Sequence, residues 1–300
     1  MKPALQRIAL ASVITASLVG CYGADPEDAL PATDAIVDDL TATQRCATRA
    51  PTAAELTSLQ PSIVAAPVAP VTVRVYAHVI RRGQSRAQGN VPESAVAAQI
   101  AAIQASLFPD SDPNAILVTL AAVDYTTNAR WFTMTPGSAA EAEATAALHR
   151  GGAGDLNLYI AEPGGGRLGW STFPWDVPGI IISDDVMMVR HTTLPGGSEP
   201  SYGQGDVAIH EFGHWMGLVH TFQGGCSGNA SGGGDFVSDT PAERTPAYAC
   251  AAGRDTCGAI SGPDPTSNFM DYTDDACMTS FTAGQRDRMR GAYAVWRAAR

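Results

Sequence analysis

Three of the six histidines in this 300-residue chain fall within eleven residues: His210-Glu211-Phe-Gly-His214-Trp-Met-Gly217-Leu-Val-His220. On a helix, residues four apart lie one turn above each other, so His210 and His214 share a face. Two imidazole nitrogens so placed can reach one Zn2+ at about 2.0–2.1 Å. Glu211 then lies beside the ion rather than on it. It can take a proton from water and later return it to a leaving amine. Gly217 can adopt the left-handed conformation that ends a helix, and the chain turns to deliver His220 as a third ligand. Three protein ligands leave one position open, the pattern of a catalytic rather than a structural zinc site. A buried histidine pair would explain His210 and His214 but not the third histidine. His78, His149 and His191 have no such spacing and read as ordinary polar residues.

The elements around this window follow from hydrophobic period. Val71 to Ile80 alternates and is β-branched, hence a strand. Val96, Ile100, Ile103 and Leu107 form one face of a helix from Ala95 to Phe108, with Pro92 at its first turn. Ile116 to Tyr125 and Asp155 to Ile160 read as further strands, and Gly179 to Ser183 as a short fourth strand at an edge. Asp206 to Leu218 reads as the helix bearing the histidines. Thr282 to Ala299 reads as a terminal helix, with Phe281, Met289, Tyr293 and Trp296 apolar. The fold class is therefore α/β (α+β), and the stretch between the last two helices is irregular.

Composition narrows the function. Hydrophobic residues make up 45% of the chain, too many for a disordered protein. Acidic residues number 30 against 19 basic, a net charge of −11, which argues against nucleic acid. Lys2 and Arg7 precede an apolar run from Ile8 to Val19, a secretory signal over residues 1–20. Its end, Leu18-Val19-Gly20-Cys21, resembles the bacterial lipobox, which would make Cys21 a lipidated N-terminus. Tyr22 offers no acidic retention signal, so the expected address is the outer membrane, and lipid is the expected contact with a membrane. Residues 21–70 are acidic, then Ala/Val/Pro-rich, without helical or strand period; they read as tether and pro-segment, leaving 71–300 as the catalytic domain. Export permits disulfides. Cys226, Cys250, Cys257 and Cys277 cluster in the irregular last quarter; three pairings are open, and sequence does not choose among them. Cys46 stands alone in the pro-segment.

The histidine window resembles the metzincin metallopeptidases. Asn268-Phe-Met270-Asp271-Tyr272 is similar to their Met-turn, in which Met270 would underlie the histidines. More narrowly, His220-Thr-Phe-Gln-Gly-Gly-Cys226, Gly234-Asp-Phe-Val-Ser-Asp-Thr-Pro241, Asn268 to Cys277, Phe281 to Met289 and Leu168 to Pro174 resemble the pappalysin family. The resemblance covers about residues 71–298 and is most specific from 206 to 289. It implies a twisted, mostly parallel sheet with two helices above the cleft, and a disulfide-stapled lower part closed by a C-terminal helix. It implies the pairs Cys226–Cys257 and Cys250–Cys277. It implies that Tyr272 lies near the zinc and holds the oxyanion. It implies calcium on the oxygens of the loop holding Asp235, Asp239, Thr240 and Glu243, with Asp235, Thr240 and Glu243 first. It implies that Cys46, in Arg45-Cys46-Ala-Thr, ligates the zinc of a latent precursor, although Ala47 stands where the family has glycine.

The expected function is an exported zinc endopeptidase acting on proteins or peptides. The alternatives are a catalytically silent zinc- and calcium-binding surface module and a calcium-stapled structural adhesin. Glu211 argues against the first, and an open zinc position against the second. Asp274 and Asp275, just after the Met-turn, point to a basic residue after the scissile bond.

Overall fold

The structure is a computed structural model that describes residues 45–64, 70–107, 115–226, 234–259 and 262–298. Cys21 and the signal sequence lie outside the described residues. The elements run α1 (Ala53–Val64), β1 (Val71–Arg81), α2 (Glu93–Leu107), β2 (Ile116–Thr127), α3 (Ala139–Leu148), β3 (Asp155–Ala161), β4 (Gly169–Ser171), β5 (Met187–Arg190), α4 (Asp206–Trp215) and α5 (Ala283–Trp296). The strands form one sheet in the order β2-β1-β3-β5-β4. All neighbours are parallel except β4, which runs antiparallel to β5 at an edge.

Burial explains the sheet. β1 begins with Val71, Val73 and Val75 inward and Thr72 and Arg74 outward, and β3, in the middle, is buried along its length. The expected face of α2 (Val96, Ile100, Ile103, Leu107) is buried in the main core together with β1, β3 and α4. Gln99 on that helix donates to the Gly205 carbonyl at 2.9 Å. The backing helix is thus tied to the residue that opens α4. α4 is buried on every side, so its polar residues must be matched inside the protein.

Below the cleft the chain is irregular, and covalent bonds do what periodic elements do elsewhere. Cys226–Cys257 and Cys250–Cys277 are both disulfides, the pairing that the resemblance implied. α5 starts with a capping box: Thr282 Oγ1 accepts from Gln285 N, and the Gln285 side chain accepts from Thr282 N. No helix among the described residues is long and apolar enough to cross a membrane.

Three expectations change. Gly179 to Ser183 is not a strand; Val177–Gly179 and Ile182–Asp184 are 3-10 turns, and Ile181 is 73% exposed. Pro178 removes a ladder donor, and β-branched composition alone was misleading. That side of the sheet is instead built by β5 and, at the edge, β4, both too short and too rich in Gly, Trp and Met to show a period. Residues 53–64, read as irregular, form α1, which packs against α5.

Candidate metal centre

α4 sets His210 and His214 edge to face, their ring centroids 4.7 Å apart. It ends at Trp215, and Gly217 takes a φ of 96°, the left-handed turn foreseen for it. The reversal brings His220 back, so that its Nε2 and the His210 Nε2 each lie 3.1 Å from the His214 Nε2. Backbone carbonyls fix two tautomers. His210 Nδ1 donates to Phe269 O at 2.7 Å, and His214 Nδ1 donates to Leu218 O at 2.9 Å. Their Nε2 atoms therefore carry lone pairs, which repel one another unless a cation lies between them. Burial, with mutual repulsion for the last two, holds the pKa of His210 at about 4 and those of His214 and His220 well below the ordinary value.

Cys46 is buried, and its Sγ lies 3.4 Å from His214 Nε2. Among the described residues, one group of His, Cys, Asp and Glu side chains could hold a metal ion: Cys46, His210, His214 and His220. Tetrahedral zinc with nitrogens at about 2.0–2.1 Å has nitrogens about 3.3 Å apart, close to the spacing here. The donor set therefore fits zinc. Burial and the Glu211 carboxylate push the Cys46 thiol well above its ordinary pKa. Only a cation beside it makes the thiolate stable.

Glu211 is fully buried next to this group. Its Oε2 accepts from Thr48 Oγ1 at 2.9 Å, and Thr48 Oγ1 accepts in turn from Ser171 N at 2.8 Å. Burial pushes the Glu211 pKa up to about 8, against the hydrogen bond from Thr48. Tyr272 is nearly buried, its Oη 3.2 Å from His220 Nε2. Met270 is fully buried in the core that carries α4, and its carbonyl accepts from Thr221 N at 3.2 Å.

Sequence reasoning missed Thr48 and Arg45. Cys46 forms a parallel bridge with Gly169, and Ala47 N donates to Gly169 O at 2.9 Å. The segment thus lies along edge strand β4. Arg45 is 4% exposed. Its Nη1 donates to Tyr272 O at 2.8 Å, and its guanidinium lies 4.6 and 4.8 Å from the rings of Tyr202 and Tyr248. The pocket it lines also includes Asp206, Asp271 and Asp275. The acidic residues after the Met-turn were a signal for it.

Asp235, Thr240 and Glu243 are all buried. Asp235 accepts from Val237 N and Gln285 Nε2, while Glu243 accepts from Thr221 Oγ1 and Arg254 Nη1. Asp239 instead accepts from Thr282 Oγ1 and Gly284 N at the start of α5. Of the other histidines, His78 is held by Asp124 and Asn157, and His191 by Glu162, as ordinary polar residues are.

A mixed sheet backed by α2, a helix bearing two histidines that converge with a third delivered by the turn after it, and a Met-containing turn beneath it define a metallopeptidase of the metzincin kind. The chain belongs to the Peptidase M43 (pregnancy-associated plasma protein-A) family, whose model matches residues 197–294. It is 40% identical over 233 residues to an extracellular metalloprotease of Neurospora crassa, covering 77% of each chain. It is 38% identical over 232 residues to extracellular metalloprotease 1 of Coccidioides posadasii, covering 77% of this chain and 79% of that one. Among solved structures, promirolysin of Tannerella forsythia shares the fold with a TM-score of 0.64 at 24% identity, over 81% of this chain and 88% of that one. Mirolysin in complex with a compound gives 0.62 at 25% identity, over 75% and 92%.

Proposed function

We propose that this protein is an exported zinc endopeptidase, made as a latent precursor, in which His210, His214 and His220 hold the metal. The observation that carries the reading is the convergence of three imidazole Nε2 atoms beside a buried carboxylate. Zinc at that point supplies a Lewis acid and lowers the pKa of water. Glu211 takes the proton from the attacking water and passes it to the leaving amine; a base with its pKa raised by burial suits both halves of that task. Tyr272 turns its hydroxyl to the developing oxyanion. In the precursor, Cys46 occupies the open position while Thr48 occupies Glu211. The pocket around Arg45 suits a basic side chain after the scissile bond.

Export is supported by the signal-like N-terminus and by relatives named as extracellular. The further reading, a lipid anchor at Cys21, is tested by detergent partitioning: Cys21→Ser should move the protein to the aqueous phase. Calcium on Asp235, Thr240 and Glu243 is proposed from their burial: Glu243 already meets the Arg254 guanidinium, so the case rests on Asp235, whose ionised carboxylate is costly to bury without a cation. Thermal unfolding with and without a calcium-selective chelator, zinc retained, decides it; an unchanged Tm removes calcium.

The test of the main reading is cleavage of an unfolded protein by the processed enzyme. Phenanthroline should stop it and added zinc restore it. Zinc-loaded, processed protein that cleaves nothing would make this a silent binding module.

A further inference from the structure

Arg45-Cys46-Ala47-Thr48-Arg49 places one arginine on each side of the thiol. Arg45 fills the pocket beside Tyr272 that Asp206 and Asp275 line. Arg49 goes the other way along the cleft. The direction follows from β4: Cys46 bridges Gly169 at its start, and Thr48 Oγ1 accepts from Ser171 N at its end. Beyond Ser171 lies an open groove between Trp170, Trp175, Ile180 and Val186. Apart from Arg49, the ionisable side chains that line it are all acidic: Glu141, Asp176 and Asp184.

Arg49 meets the groove as a guest would. Its Nε donates to Asp176 Oδ2 at 3.1 Å and its Nη2 to Asp176 Oδ1, the forked contact that a guanidinium and a carboxylate make. The guanidinium lies 5.6 Å from the Phe173 ring. Its other partner, Glu55, is 6 residues on in the same segment, whereas Asp176 is 127 residues away in the body of the protein. Asp176 is held by its own turn: its N donates to Phe173 O at 3.1 Å, and the flanking Phe173 and Val177 are buried. Glu141 is already engaged, because its oxygens accept from Trp170 Nε1 at 2.7 Å and from Gly137 N.

A substrate must cross the same strand. With the residue after the scissile bond in the Arg45 pocket, the residues before the bond run toward Ser171, antiparallel to β4. A strand edge accepts a neighbour in either direction, so the two chains reach the same groove. We propose that this groove is a second specificity site, in which Asp176 binds the guanidinium of a substrate arginine about three residues before the scissile bond, as far from the metal as Arg49 is from Cys46. This rests on the peptidase reading above. The substrate class is then a polypeptide with arginines on both sides of the bond. The Asp176 contact is open to water and screened by salt, so the preference should shrink as ionic strength rises.

The experiment compares peptides that share an arginine after the bond and carry Arg, Ala or Glu at the second, third or fourth residue before it, cut by processed enzyme. Processed Arg49→Ala protein is run beside wild type, so that the chain's own guanidinium is absent from one of them. Arginine near the third position should raise kcat/KM about tenfold over alanine, mostly through KM, and glutamate should lower it. Asp176→Asn should erase the difference between the Arg and Ala peptides. Asp176→Lys should make the Glu peptide the best, a reversal that misfolding does not produce. Equal cleavage of the Arg, Ala and Glu peptides at all three positions, or an arginine preference that survives Asp176→Asn, overturns the proposal. If none of the peptides is cut, the peptidase reading falls and takes the proposal with it.

Discussion

At the scale of single residues, each group in the cleft has one task. Glu211 is not among the residues that converge to hold the metal, so Glu211→Ala should retain zinc while turnover falls on the order of 10²-fold or more. Metal analysis beside peptide kinetics checks it, and near wild-type turnover at full zinc occupancy would remove the carboxylate from the mechanism. Cys46→Ala should give a precursor that cleaves peptides without processing, measured against intact wild type. The three histidines and Glu211 stood out by residue type and spacing, because a metal site demands certain side chains at certain intervals; Cys46 and Tyr272 were named only through the resemblance to the family. Thr48 was not, because a threonine that caps a carboxylate has no distinctive sequence context. Arg45 was not legible either, since its aromatic partners Tyr202 and Tyr248 lie far away in sequence.

At the scale of elements, α4 begins under electrostatic strain. Its first residue, Asp206, is buried near Asp275, and burial plus that neighbour pushes its pKa up to about 7. Asp275, raised to about 6 mainly by burial, accepts from Gln204 N at 2.7 Å and so fixes the approach to the helix. A carboxyl whose pKa rises on folding favours the fold while it is protonated. Its stabilisation is full below the unfolded value near 4 and is lost as pH rises through 7. Asp206→Asn should therefore raise Tm at pH 8 and leave it nearly unchanged at pH 4, a gain of order 1–3 kcal/mol. Equal shifts at both pH values would mean that packing, not charge, is responsible. The long elements were readable from period: β1, α2, β2 and β3 each offer enough apolar positions. α3 is Ala-rich with no clean stripe, α1 carries Pro61 in its interior, and β4 and β5 are three and four residues long. Tertiary contact decides such segments.

At the scale of the molecule, the sheet and the C-terminal region are pinned by one buried ion pair. Arg297, fully buried, donates from Nη1 to Asp185 at 2.6 Å and to Ala153 O, and from Nε to Trp215 O, with its guanidinium 3.6 Å from the Trp215 ring. The residue thus joins the loop before β3, the loop before β5 and the end of α4. Arg297→Ala leaves Asp185 buried without its partner and should cost about 3–5 kcal/mol in denaturant unfolding. Arg297→Lys should recover part of that loss, because a lysine keeps the charge but not the planar fork. Reducing the two disulfides should loosen the lower part by about 2–4 kcal/mol each, with the sheet the last region to exchange its amide hydrogens.

The order of parts along the chain has a kinetic meaning. Cys46 precedes His214 by 168 residues, so the thiol is synthesised before the histidines it meets. In the latent precursor proposed above, the thiol is joined to them through the chain and would face the metal at an effective concentration on the order of millimolar or more. One broken bond converts that encounter from unimolecular to bimolecular without altering any atom of the contact. At the dilution of an exported protein the freed segment then has no prospect of return. The same peptide, added back, should inhibit only when supplied near the concentration that the tether had provided.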